Sequence, residues 1–97
     1  MSEKLSQESI DAKVAELPEW SVNAGTLQRT FKFENFVEAM KFVNNVAKRA
    51  EKAQHHPDIL VRYGKVTLTL TTHDAGGISQ KDFDLAREVD NLSPRVA

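Results

Sequence analysis

Residues 66–71 constrain the fold most tightly, because Val66, Leu68 and Leu70 alternate strictly with Thr67, Thr69 and Thr71. A period of two places the apolar residues on one face of an extended chain and the hydroxyls on the other, the signature of a half-buried β-strand. The preceding run, Ile59 to Tyr63, is also rich in β-formers, and the Gly64-Lys65 dipeptide between the runs suits a type II′ hairpin turn. A hairpin with one apolar face is not stable alone and has to be covered by another layer.

The rest of the chain supplies that layer. Ser6 is a good N-cap, with Leu5 and Ile10 placed as a hydrophobic staple, and Ile10, Val14 and Leu17 fall on one face of a helix that Pro18 stops. A short strand from Trp20 to Val22 meets a turn at Asn23-Ala24-Gly25, after which Leu27, Phe31 and Phe33 alternate with Gln28, Thr30 and Lys32. Asn35, with Glu38 three residues on, caps a second helix whose apolar stripe reads as Phe36, Met40, Val43, Val46, Ala47 and Ala50. That helix has to end near His55, since Pro57 disfavours helical geometry in the residue before it. Beyond Gly76-Gly77, Ser79 and Asp82 take the N-cap and N3 positions of a last helix carrying Leu85, Val89 and Leu92. The expected order is α-β-β-α-β-β-α: an α+β fold with a four-stranded antiparallel sheet and three helices packed on one face. With 97 residues, the chain is expected to form one domain over residues 1–97, since a chain of this size buries roughly 60 to 70 per cent of its unfolded surface and has no room for a second core.

Several functions are disfavoured by composition. Thirteen basic residues balance fourteen acidic ones, for a formal charge of -1, and neither sign dominates a long stretch, so no nucleic-acid footprint is visible. The chain has no cysteine, which removes disulfides, thiolate nucleophiles and thiolate metal sites together. Residues 1–8 lack the apolar core of a signal peptide, and no apolar run approaches the roughly 20 residues of a membrane span. A soluble, cytoplasmic protein is expected, with no membrane or nucleic-acid partner. Exposed sheet edges and a threonine-rich face invite self-association into at least a dimer.

The chemistry-bearing residues crowd into one stretch, because all three histidines, His55, His56 and His73, lie between Glu51 and Asp82. Imidazole, with an unperturbed pKa of about 6.5, exchanges protons near neutral pH. The His55-His56 pair falls where a helix gives way to extended chain, and the helix macrodipole there favours a protonated ring. The same position also suits rings that merely cap the last carbonyls or lie in solvent. His73 ends a strand before a glycine turn, a place for a catalytic group or for an ordinary edge residue. Three imidazoles are enough for a zinc site, but adjacent ligands project apart and no helix-spaced metal motif is present. Gly76-Gly77 lacks the further glycines and the lysine of a phosphate loop. Glu51 stands one turn before His55, either beside it or facing water. Trp20 reads as a core or pocket-wall residue.

Taken together, Glu51-x-x-x-His55-His56-Pro57, Tyr63, Val66, Leu70, Thr72-His73-x-x-Gly76-Gly77, Asp82 and Leu85-Ala86 closely resemble the pterin-4a-carbinolamine dehydratases, and the likeness runs from Leu17-Pro18-x-Trp20 to Leu92. The resemblance implies the α+β layer derived above, as a homodimer or homotetramer. It implies a lyase that dehydrates 4a-hydroxytetrahydropterin to quinonoid dihydropterin, recycling the cofactor of aromatic amino acid hydroxylases without a metal or organic cofactor of its own. His55, His56 and His73 would be the catalytic imidazoles, and Glu51, Tyr63, Asp82 and Trp20 would bind substrate or line the pocket. Gln54 departs from the family, which often has Asp or Asn there. The rival reading is a non-catalytic dimerisation, assembly or transcriptional cofactor on the same fold, which has no need of all three histidines.

Overall fold

The computed structural model describes residues 3–92. Its elements run α1 (Gln7–Val14), β1 (Ser21–Asn23), β2 (Thr26–Lys32), α2 (Phe36–Ala53), β3 (Asp58–Arg62), β4 (Lys65–Leu70) and α3 (Gln80–Leu92), with a short 3₁₀ turn at His73–Ala75 before α3. The α-β-β-α-β-β-α order and the α+β class read from the sequence are therefore those of the structure.

All strand pairs are antiparallel, in the spatial order β1-β2-β4-β3. The β3–β4 hairpin folds back so that β4 fills the centre beside β2, leaving β1 and β3 as the edges. The alternation in β4 works as read: Val66, Leu68 and Leu70 are buried, and the intervening threonines are half-exposed on the helix-free face. There Thr67 bonds Thr30, and Thr69 accepts from the Gln28 amide. The core gathers Leu27, Phe31, Val66, Leu68 and Leu70 from the sheet with Phe42, Val46, Phe83, Leu85 and Val89 from α2 and α3. Phe31 and Phe42 lie with ring centroids 4.6 Å apart.

Four local readings shift. The first helix ends at Val14, and Leu17 is reached through a turn in which its amide bonds the Val14 carbonyl. On α2 the inward row is Ala39, Phe42, Val46 and Ala50, whereas Phe36 and Ala47 are exposed and Met40 and Val43 only half-buried. Val46 and Ala50 are thus buried as expected, while Ala39 and Phe42 take the inward places given to Phe36, Met40, Val43 and Ala47, a shift that spacings of three and four cannot decide. The final strand ends at Leu70, with Thr72 held by an isolated bridge to Gly77. The second hairpin turns at Tyr63-Gly64, because Arg62 pairs with Lys65. Tyr63, not the glycine, adopts the left-handed conformation, at φ 52°. Gly64 is needed for another reason: a Cβ there would stand 2.6 Å from the Phe33 carbonyl oxygen. This crowding reflects a close contact in which the Phe33 amide donates to the Gly64 carbonyl at 2.7 Å.

Candidate active site

Three chain segments meet at the end of the sheet where β3 begins and β4 finishes. The first is the C-terminus of α2. Gln54 takes the left-handed conformation (φ 53°, ψ 40°) just past Ala53, and the His55 amide reaches back to the Ala50 carbonyl at 3.1 Å. This is a Schellman-type stop with glutamine where glycine is usual. It reverses the chain so that both imidazoles leave the helix over the sheet end, and Pro57 then commits the chain to β3. The second segment is Thr71 to Asp74, where the chain leaves β4 and enters the 3₁₀ turn. Gly76 at φ 77° closes that turn, so the first glycine of the pair has a conformational role. The third is the first turn of α3.

A cavity of about 230 Å³ lies among them, lined by His55, His56 and His73 with Gln54, Thr72 and Lys81. Thr71 and Asp74 complete its wall. All three imidazoles therefore share one cavity.

Asp82 does not line this cavity; it stands behind it. Its side chain is fully buried and its oxygens have divided tasks. Oδ2 accepts from the Ser79 amide and from the Thr72 hydroxyl, each at 2.9 Å, while Oδ1 is 2.5 Å from His55 Nε2. The first contact is the back-bond of a capping box, which answers the orphan amides at the start of α3. The Thr72 proton is directed to Asp82, so the Ser79 hydroxyl, 2.6 Å from Thr72 Oγ1, donates to Thr72 and in turn accepts from the Lys81 amide. The polarity of the whole network is thereby fixed. A carboxylate offers only acceptors, so His55 donates through Nε2, and in the neutral ring Nδ1 carries the lone pair. No buried side-chain polar atom lacks a partner among the described residues.

His56 repeats the contact in a different setting. Its Nε2 lies 2.5 Å from Glu51 Oε2, but the side chains are 56% and 72% exposed, against 11% and 0% for His55 and Asp82. Glu51 thus stands beside His56, not His55. His73 is exposed and has no side-chain hydrogen bond among the described residues.

Two expected pocket residues lie elsewhere. Trp20 is buried in the core, edge-on to Phe31, with its indole donating to Asp90 Oδ1 at 2.9 Å. Asp90 is eight residues along α3 from Asp82, about 12 Å at roughly 1.5 Å per residue. Tyr63 is exposed at the far hairpin turn, separated from the cavity by the length of β3, about 17 Å at roughly 3.4 Å per residue. Sequence reasoning missed Lys81, which carried no motif, and the full role of Thr72, whose signal was its position beside His73. It also missed Arg29, which shares the inner face of β2 with Leu27 and Phe31, bonds Asp90 at 2.7 Å and lies 4.1 Å from the Phe31 ring centroid.

No helix among the described residues is long and apolar enough to cross a membrane. No group of three His, Asp or Glu side chains is gathered there as metal ligands would be.

Fold and site together define a small α+β protein with an imidazole-lined cavity at one sheet end, one ring held from behind by a buried carboxylate. The family model for pterin 4 alpha carbinolamine dehydratase matches residues 3–92, so the chain belongs to that family. It is 53% identical over 92 residues, 95% of this chain and 100% of the relative, to a Picosynechococcus protein provisionally named a pterin-4-alpha-carbinolamine dehydratase. A Cyanothece protein with the same provisional name is 50% identical over 93 residues, 96% of each chain. Among solved structures, a transcriptional coactivator/pterin dehydratase from Brucella melitensis superposes with a TM-score of 0.89 at 30% identity, covering 94% of this chain and 99% of that one. A pterin dehydratase-like RuBisCO assembly factor of the alpha-carboxysome shares the fold, with a TM-score of 0.64 at 22% identity over 79% of this chain and 89% of that one.

Proposed function

We propose that the protein dehydrates pterin-4a-carbinolamine to quinonoid dihydropterin by histidine acid-base catalysis. The observation that carries this reading is the single cavity shared by His55, His56 and His73. At about 230 Å³ it is smaller than the roughly 300–1,000 Å³ of a typical ligand pocket, which suits one flat bicyclic ring with any side chain left in solvent. In a carbinolamine the leaving hydroxyl sits on a carbon bonded to nitrogen, so the nitrogen lone pair helps expel it once a donor protonates the oxygen. A second group removes the N5 proton. General acid-base assistance of this kind is worth on the order of 10² to 10⁴-fold.

His73 and one ring of the pair exchange these protons, and the other ring fixes the pterin. Asp82 acts through His55 as a positioning residue: it holds the ring and its tautomer as a buried carboxylate orients a catalytic imidazole elsewhere. Glu51 does the same for His56 from a solvated position. Trp20 supports the fold that carries the site, and Tyr63 would need a second subunit to reach it.

The test is stopped-flow formation of quinonoid dihydropterin from freshly generated 4a-hydroxytetrahydropterin, with each histidine replaced in turn. His73→Ala is expected to lose about 10² to 10⁴-fold in rate; a rate near wild type would overturn the assignment. The likeness to the Brucella coactivator/dehydratase and to the carboxysome assembly factor favours a second reading, a coactivator or assembly role. A wild-type chain with no dehydratase activity would select it.

The same reading includes self-association, working in a cytoplasmic tetrahydropterin-recycling pathway beside an aromatic amino acid hydroxylase. Phe36 and Val37 on α2 and Ile59 and Leu60 on the edge strand β3 are large apolar residues left exposed, as expected of a surface that a second copy covers. Light scattering at micromolar concentration is expected to show at least a dimer, and a monomer would contradict it.

A further inference from the structure

The opposite end of the sheet carries a feature that dehydration does not use. Lys65 on β4 is the registered partner of both Lys32 on β2 and Arg62 on β3. Directly opposed residues of an antiparallel pair point to the same face with Cβ atoms about 4.5–5.5 Å apart. Lys32, Lys65 and Arg62 therefore form one rung of three cations across adjacent strands, roughly 10 Å long by that spacing. The rung lies on the helix-free face, in line with the alternation that puts Thr30, Thr67 and Thr69 there.

Like charges in direct opposition destabilise a sheet, and among the described residues no carboxylate forms an ion pair with them. Among the described residues Arg29, Arg49 and Arg87 each pair with a carboxylate, whereas Arg62, Lys32 and Lys65 pair with none. Glu34, two residues past Lys32, makes no ion pair among the described residues, and Asp58 lies at the other end of β3, level with Thr69.

Beside the rung is a cleft of about 550 Å³, lined by Lys32, Phe33, Arg62, Tyr63, Gly64 and Lys65. Tyr63 is 69% exposed there and is held at φ 52°, a conformation that costs a bulky L-residue energy and recurs at ligand clamps. An unneutralised row of cations next to an exposed aromatic ring is the recognition chemistry of an aromatic anion: charge-assisted bonds for the anionic group and a ring face for stacking.

We propose that this cleft is a second ligand site, distinct from the imidazole cavity, that binds a planar aromatic compound carrying phosphate groups, of the nucleoside diphosphate class. The three cations hold the phosphates and Tyr63 stacks on the ring. The site does not depend on the dehydratase reading.

The test is titration of the full chain with ADP, followed by calorimetry and by amide NMR shifts, with adenosine and inorganic pyrophosphate as separate arms. Saturable ADP shifts are expected at Lys32 and Tyr63 to Lys65, with the His55, His56 and His73 signals unmoved. ADP should bind at least about tenfold more tightly than either half alone, the equivalent of one charge-assisted contact. Lys32→Gln and Lys65→Gln should each weaken it by about tenfold. Lys65→Gln should also unfold at higher denaturant than wild type, because it removes a like-charge opposition, so failure to fold cannot explain the loss. Absence of saturable shifts, shifts centred on the histidines, or ADP affinity unchanged in both variants would overturn the site. Pyrophosphate binding as tightly as ADP would overturn the aromatic class of the ligand.

Discussion

His55 and His56 are neighbours in sequence, each places Nε2 2.5 Å from a carboxylate, and yet the two contacts are physically unlike. The His56–Glu51 pair stands in water, where an exposed ion pair is worth roughly 0.2–1 kcal/mol and salt screens it. The His55–Asp82 pair is buried, and the second oxygen of Asp82 is saturated by Ser79 and Thr72. Removing Asp82 leaves the buried Ser79 amide and Thr72 hydroxyl without their acceptor and His55 without its support. Distance alone is therefore a poor guide to what a histidine–carboxylate contact does; burial and the fate of the remaining lone pairs decide it.

The largest expected effect tests that difference directly. Asp82→Ala removes the His55 contact and the capping bond together and should lower unfolding stability by about 3–5 kcal/mol in urea titrations. A loss below about 1 kcal/mol would put this carboxylate in the same category as Glu51. Asp82→Asn should keep the fold, because the amide oxygen can still accept from Ser79 and Thr72. Its NH₂ group would then donate to His55 Nε2 and force the ring proton to Nδ1, which ¹⁵N imidazole shifts would report. The dehydration rate should fall with it.

Double-mutant cycles sharpen the contrast. The His55/Asp82 coupling is expected at about 1.5–3 kcal/mol. The His56/Glu51 coupling should be no more than about 0.5–1 kcal/mol and should fade in high salt. The smallest effect concerns the residue before the pair. Gln54 occupies a left-handed position that asparagine adopts more readily. Gln54→Asn should stabilise the fold by a few tenths of a kcal/mol, about the scale of a C-cap adjustment, measured as a rise in thermal midpoint without a change in the imidazole shifts.

The two sheet hairpins were legible because strand alternation has no competing interpretation: once Val66, Leu68 and Leu70 face inward, the threonines between them cannot. Helix α2 was harder: of the expected stripe Phe36, Met40, Val43, Val46, Ala47 and Ala50, Val46 and Ala50 are buried, but Ala39 and Phe42 complete the inward row, and only packing on the sheet selects them. Gly64 announced a turn correctly but not its register, because its steric debt is to Phe33, thirty-one residues away in the chain. The three histidines could be proposed as a group from family spacing, and the cavity gathers them. The division of labour between Asp82 and Glu51 was not readable, because a carboxylate at N3 caps a helix whether or not an imidazole stands on its other side.

Because one carboxylate both starts α3 and steadies His55, the site has no way to loosen independently of that helix. Fraying of a single turn at Ser79 to Asp82, an event far smaller than global unfolding, would release the ring from its support. On warming, the hold on the His55 ring should therefore weaken in step with amide exchange at this helix start, well before the sheet itself gives way.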